Sequence, residues 1–240
     1  MNLIIFDHAE TAQPLPRADP RARHLLEVLR RGVGDTFDAG LVNGPHGKGT
    51  LVAVGTDALT LTFAWNPEPP PPPDPITLIV GLPRPQTARD ILRDATTLGV
   101  AEIHFVATEK SERNYAASTL WSSDEWRRHV LTGAAQAFDT RIPKVTWHQT
   151  LAGVLAGLPE HGARFALDNY EGGVALGKCH LLRDTVVRLA IGPERGWGAE
   201  DRDLLRSRGF TLAHLGLRPL RTESAVVAGL AVVKTVRGQM

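Results

Sequence analysis

The chain has 240 residues, a net charge of +1, 42% hydrophobic and 22% charged residues. These are the proportions of a soluble globular protein with room for one large core or two modest ones. Its single cysteine, Cys179, excludes an internal disulfide framework and suits a reducing compartment. No apolar run approaches the ~20 residues of a membrane helix. MNLIIFDHAE at the N-terminus lacks the basic start of a secretory signal, so a cytoplasmic location is expected. The charge by itself announces no nucleic-acid partner. Lys/Arg number 6 against 9 Asp/Glu over residues 1–75, and 21 against 17 over 76–240, so any RNA contact must come from local patches.

The first segment reads mainly as strands, at 3–6, 35–42, 49–54 and 58–65. Val42-Asn43-Gly44 and the glycines around Lys48 supply hairpin-turn chemistry. One helix is expected over 19–31, with Asp19 as N-cap, Pro20 in the first turn and Gly32 after the end. Around it Arg17, Arg21, Arg23, Arg30 and Arg31 outnumber Asp19 and Glu27. That pattern fits a solvated helix face or a phosphate-contacting patch equally. A small β-barrel-like domain with one helix fits this half. Five consecutive prolines within 66–75 then mark a stiff linker, being unable to donate backbone hydrogen bonds. A ligand for a proline-recognising domain is the lesser reading of that run.

Beyond the linker strands and helices alternate. Strands are expected at 76–81, 101–107, 163–168, 186–192 and 211–216, and helices at 84–99, 123–138, 198–209 and 222–238. Such alternation implies a mostly parallel sheet covered by helices. Ligands of such sheets bind in loops at the carboxyl ends of the strands. The stretches 81–86, 192–198 and 215–224 occupy positions of that kind.

Several chemistries find no support. Gly196-Trp197-Gly198 resembles the start of a dinucleotide fingerprint, but Asp201 stands in place of the third glycine and no acidic residue ends the next strand. The stretch 44–50 resembles a phosphate loop but carries Val42 where the first glycine belongs, and it lies between strands. No G-x-S-x-G elbow occurs, and the nine histidines are scattered, so neither a serine hydrolase nor a metal site is expected. Two glycine-marked loops remain. Gly192, Gly196, Gly198 and Gly216 would let backbone approach a flat heterocycle, with Leu215, Leu217 and Leu220 as apolar surface. Arg221 and Thr222 stand at the start of the last helix, and Glu194 and Glu223 add carboxylates. Singly, each glycine is an ordinary tight turn and Thr222 an ordinary cap; together, IGPERGWG and LGLRPLRTES form a particular pair.

Those two stretches resemble the signature loops of the SPOUT-superfamily 16S ribosomal RNA uridine N3-methyltransferases, usually I-G-P-E-G-G and L-G-x-R-[IV]-L-R-T-E-T-A. Residues 23–35, 95–114 and 134–145 are similar to that family's H-x-x-x-V-L-R-x-x-x-G, E-L-G-V…E-R-S and E-Q-x-x-R-x-x-x-P segments. The resemblance therefore covers nearly the whole chain in order. It implies a PUA-like β-barrel RNA-binding domain (1–66), a linker (67–75) and a trefoil-knotted α/β methyltransferase domain (76–240). It also implies a homodimer, S-adenosylmethionine as cofactor, no metal, no membrane, and 16S rRNA or the small ribosomal subunit as partner. The chain departs from the family forms at Arg195, Pro219, Ser224, Ala135 and Phe138-Asp139. Arg195 and the Phe138-Asp139 changes motivate an alternative, an inactive or retargeted RNA-binding protein of the same fold.

By the same resemblance the cofactor would meet Leu167, Ile191, Gly192, Pro193, Glu194, Gly196, Leu215, Gly216, Leu217, Leu220 and Thr222. Uridine N3 must lose its imide proton before or during attack, and a cation near the carbonyl oxygens favours the anion; Arg221 is the first candidate. Glu223 or Glu194 is a candidate to accept the proton, although bracing a loop or a helix start is the favoured role for each. Arg23, His24, Arg30 and Arg31 are the candidate RNA contacts.

Overall fold

The computed structural model describes residues 3–240, with the backbone alone at Arg113. Met1 and Asn2, which begin the stretch read as lacking a signal, lie outside the described residues. The chain forms two compact units. The first comprises the residues up to Pro72 together with Ala134–Ile142, and the second Pro73–Gly133 with Pro143–Met240.

In the first unit five strands make one curled sheet: β1 (Ile4–Phe6), β2 (Leu15–Pro16), β3 (Thr36–Leu41), β4 (His46–Val54) and β5 (Ala58–Trp65). Their order is β1-β3-β4-β5-β2, with β1 parallel to β3 and the other pairs antiparallel. The hairpin turn is confined to Val42–Pro45, with Asn43 at φ +56° and the Gly44 N–H on the Leu41 carbonyl at 2.8 Å. The glycines around Lys48 lie in β4 and not in a turn, contrary to expectation. Gly49 has a packing reason to be there, since a Cβ would stand 2.3 Å from the Phe37 ring. Phe6, Leu15, Leu25, Phe37, Leu51 and Leu59 form the core of this unit.

The expected helix 19–31 starts as α1 (Pro20–Arg23), with Asp19 Oδ1 accepting the Arg21 N–H at 2.8 Å. It continues as a wider π-helical turn over His24–Val28, closed by the Leu29 N–H on the His24 carbonyl. The stop falls at Arg30, in the left-handed region at φ +51°, rather than at Gly32, whose N–H is taken by Asp35. Segment 134–142 joins this unit through the Leu3 N–H on the Ala135 carbonyl (3.2 Å) and the Thr140 hydroxyl on the Gly44 carbonyl (2.6 Å). There Phe138, at φ +56°, sets its ring edge-on to His46, and Asp139 accepts the Arg141 N–H.

The second unit is a seven-stranded, all-parallel sheet of β6 (Asp74–Gly81), β7 (Val100–Ala107), β8 (Lys144–Thr150), β9 (Ala163–Leu167), β10 (Val174–Ala175), β11 (Val187–Ile191) and β12 (Thr211–His214). Their order is β10-β12-β9-β11-β6-β7-β8. The central strands are mainly apolar and buried: β6 from Leu78 to Gly81, and β11 along its whole length, including the side chain of Arg188. Its helices are α2 (Pro85–Thr97), the short α3 (Thr119–Ser122), α4 (Glu125–Gln136), which runs on into the first unit, α5 (Leu151–Gly157), α6 (Ala199–Ser207) and α7 (Thr222–Val236). Helix α7 packs on α2 and β11, and Lys234 ties its last turn to Asp74 at 2.7 Å. Ile79, Val106, Leu155, Ala190, Leu205 and Trp197 belong to one buried cluster. Among the described residues no helix is long and apolar enough to cross a membrane.

Candidate functional site

Strand β11 lies between β6 and β9, both of which precede it in the chain. The loops that follow β9, β11 and β12 therefore emerge side by side at the carboxyl edge of the sheet, the place where open parallel sheets bind ligands. They enclose a cavity of about 230 Å³, near the lower end of small-molecule sites at roughly 300 Å³.

Leu167 and Asp168 to Tyr170 form one wall, Ile191 to Trp197 a second, and Leu215, Pro219, Leu220, Thr222 and Ala225 the third. Leu167, Ile191, Gly192, Pro193, Glu194, Gly196, Leu215, Leu220 and Thr222 are thus brought together as the sequence anticipated. Gly216 and Leu217 are not part of the lining. Gly216 turns the loop at φ +117°, a conformation that excludes most side chains, and Leu217 is fully exposed.

The walls are held by a few specific contacts. Trp197 is buried and donates its indole N–H to the Leu167 carbonyl at 3.0 Å, locking the glycine loop to the end of β9. Asp168 is buried; its Oδ1 accepts the Tyr170 and Glu171 N–H groups at 2.6 and 2.8 Å, and its Oδ2 the Arg202 Nε at 2.6 Å. Asp201 explains the missing third glycine. It accepts the Gly198 N–H at 3.0 Å at the start of α6 and the Glu109 N–H at 3.2 Å, so it serves as a cap and a tie between loops. On β6, Gly81 has the Pro193 ring against its backbone, and a Cβ there would stand 2.3 Å from Pro193 Cδ. Gly81 and Trp197 lie in stretches the sequence marked as ligand-loop positions, but their roles, and Asp168 altogether, escaped the sequence reading because each acts through a residue on another element.

The cavity offers apolar side chains for a flat ring, the backbone of a glycine loop for its polar edge, and one unused hydroxyl. Thr222 lines the wall with most of its side chain buried, and its hydroxyl, which is not itself among the buried unpartnered atoms, makes no hydrogen bond among the described residues. Among the described residues no group of three or more His, Cys, Asp or Glu is placed to hold a metal.

The charged candidates fall at different stations. Glu194 lines the cavity and accepts the Arg84 N–H at the head of α2 through Oε1 at 2.9 Å. Arg221 is exposed as the residue before α7, and Glu223 is half-buried in the first turn of that helix; neither lines the cavity. In the first unit Arg23, Arg30 and Arg31 are exposed with no side-chain partner among the described residues, and His24 is half-buried. Arg21 leaves that patch. It bonds both oxygens of Glu10 at 2.9 and 2.6 Å and Asp19 at 2.7 Å, over the Phe6 ring.

The family model of the RNA methyltransferase domain matches residues 70–234. The ribosomal RNA small subunit methyltransferase E of Treponema pallidum is 33% identical over 242 aligned residues, covering 97% of this chain and 90% of that protein. A crystal structure of a probable rRNA-methyltransferase from Porphyromonas gingivalis superposes with a TM-score of 0.81 at 21% identity, covering 99% of both chains. A ribosomal RNA small subunit methyltransferase E from Neisseria gonorrhoeae, bound to S-adenosyl methionine, gives 0.80 at 22% identity over 98% of both. At these identities the structural likenesses bear on the fold.

Proposed function

The chain belongs to the RNA methyltransferase domain family, and from that premise we propose that it is an S-adenosylmethionine-dependent methyltransferase acting on N3 of a uridine in 16S rRNA. The observation that carries this reading is the cavity formed by the loops after β9, β11 and β12, with its apolar walls, glycine-loop peptides and unengaged Thr222 hydroxyl. Those groups fit the adenosine and amino-acid parts of the cofactor. Leu167, Ile191, Leu215 and Leu220 would flank the adenine, the 192–196 backbone would meet its polar edge, and Thr222 would meet a polar group of the ligand. Gly216 and Leu217 would shape the loop from outside.

When bound, the cofactor supplies an electrophilic methyl group on a sulfonium, which needs no metal. The chain's own task is to place the uracil N3 in line and to favour its deprotonated form. Arg221, with no side-chain partner among the described residues before α7, is the cation assigned to the uracil carbonyls. Glu223 in the first turn of α7 is the carboxylate available to take the imide proton. Glu194, engaged with the Arg84 N–H, braces the loop, which agrees with the role favoured for it from sequence.

The reading extends to the rest of the chain. The curled five-stranded sheet would be a PUA-like RNA-binding domain, with Arg23, Arg30, Arg31 and His24 on the RNA phosphates. The placement of β11 between two earlier strands, with α7 packed over it, supports a trefoil-knotted domain over 76–240 after the 67–75 linker. The exposed apolar side chains Leu217, Leu220 and Val227 support a homodimer, and a ribosomal RNA substrate is in keeping with a cytoplasmic location.

Calorimetric titration with S-adenosylmethionine, with NADH as control, tests the cofactor assignment. Saturable binding near one site per chain is expected. A folded protein that shows no binding at millimolar cofactor contradicts it.

A further inference from the structure

A second, smaller cavity of about 70 Å³ shares the Pro193–Arg195 wall with the first. Its lining includes Arg84, Lys110, Glu112, Tyr115, Glu194 and Arg195. Three cations thus face two carboxylates, and the carboxylates are engaged. Glu194 Oε1 accepts the Arg84 N–H at 2.9 Å, and Glu112 Oε1 pairs with Arg195 Nη1 at 3.7 Å. The Arg84 guanidinium, the Lys110 ammonium and the Tyr115 hydroxyl have no partner among the described residues. The arrangement is a small, net-positive recess with unused donors. Its size admits a phosphate or one planar ring but not a whole nucleoside, and unpaired cations select the phosphate.

Arg195 is informative because it lines both cavities. Its pair with Glu112 is long and both side chains are largely exposed, so it is easily exchanged for a stronger anion. We propose that this second cavity seats one phosphodiester group of the RNA substrate, held by Arg84 and Lys110, with Arg195 turning from Glu112 to supply a third donor. The adjoining base then lies at the mouth of the first cavity. This rests on the methyltransferase reading above and adds a substrate subsite to it. The arginine that departs from the family's usual glycine becomes a substrate contact in this chain.

The test measures binding of a 16S rRNA transcript as a function of salt, with cofactor calorimetry on the same samples. Combined Arg84→Ala and Lys110→Ala is expected to weaken RNA binding about tenfold, the loss of one charged hydrogen-bonded contact. The slope of log affinity against log salt is expected to flatten by about 0.7, the value for one single-strand phosphate. Cofactor affinity stays within twofold of wild type. Arg84 restored beside Lys110→Arg, which keeps both charges, returns both values. Lys144→Ala, an exposed cation on β8, leaves both unchanged and controls for general charge. Unaltered RNA affinity and slope in the double variant overturn the phosphate seat, as does an equal loss in Lys144→Ala. In either case a normal cofactor titration leaves the methyltransferase reading standing, and its separate failure is seen in the wild-type titration.

Discussion

The Trp197 indole N–H donates to the Leu167 carbonyl at 3.0 Å, joining the loop after β11 to the end of β9 at the wall of the main cavity. Trp197→Phe keeps most of the buried ring but leaves that carbonyl without its donor. A stability loss of about 1–3 kcal/mol is expected in urea unfolding, the usual cost of an unsatisfied buried group. Cofactor affinity, read by calorimetry, should fall several-fold because two walls of the cavity lose their register.

Gly81 tests the same floor from the other side. A methyl group there meets Pro193 Cδ at 2.3 Å and Pro193 N at 2.7 Å, so Gly81→Ala must displace the 192–198 loop. The expected destabilisation is about 1–3 kcal/mol, the range for overpacking, with at least a tenfold loss of cofactor affinity. Gly173, whose added Cβ would meet nothing within 4 Å, is the matched control. Gly173→Ala should change stability by no more than about 0.5 kcal/mol and leave binding intact.

The Arg21 cage in the first unit makes stability depend on acid. The Arg21 guanidinium holds the Glu10 carboxyl below its ordinary value, against an opposing push from burial and with help from the Asp7 N–H. A lowered folded pKa contributes stability above the unfolded value, roughly 4.3 for Glu, and that contribution is lost as the pH falls through the folded one. Glu10→Gln is expected to cost about 0.5–1 kcal/mol at pH 7, since both partners are partly exposed and solvent screens them. The difference from wild type should shrink as the pH is lowered from 5 towards 3 in urea titrations.

Arg221 and the cavity are predicted to separate in kinetics. Because Arg221 lies outside the lining, Arg221→Ala should leave cofactor affinity within about twofold, while methyl transfer slows by about 100-fold or more, the scale for removing a group that stabilises developing charge. Methylation at the wild-type rate with cofactor binding intact removes Arg221 from the mechanism.

What the sequence made legible follows from period and punctuation. The helices α2, α6 and α7 and the strands β6, β7, β9, β11 and β12 were expected within a few residues, because buried parallel strands are apolar runs and their helices carry clear stops. Residues 139–162 were left without an element. Yet β8 lies there, written KVTWHQT, because it is the edge strand of its sheet and carries polar residues to its exposed end. The two-residue strands β2 and β10 are set by their pairing partners and have no periodicity of their own. At the site, nine of the eleven cofactor candidates line the cavity because the glycine loops are contiguous in sequence. Asp168, the second cavity and the contacts made by Trp197 and Gly81 were illegible because each depends on loops brought together from distant parts of the chain.

Product analysis decides whether the protein transfers a methyl group to uridine. The purified protein would be incubated with methyl-labelled S-adenosylmethionine and either 16S rRNA or assembled small subunits, and the RNA digested to nucleosides. Label is expected in N3-methyluridine, at one nucleotide, dependent on Arg221. Folded protein that binds cofactor and RNA yet leaves no label in uridine would contradict it and identify the chain as an RNA-binding relative that has lost methyl transfer.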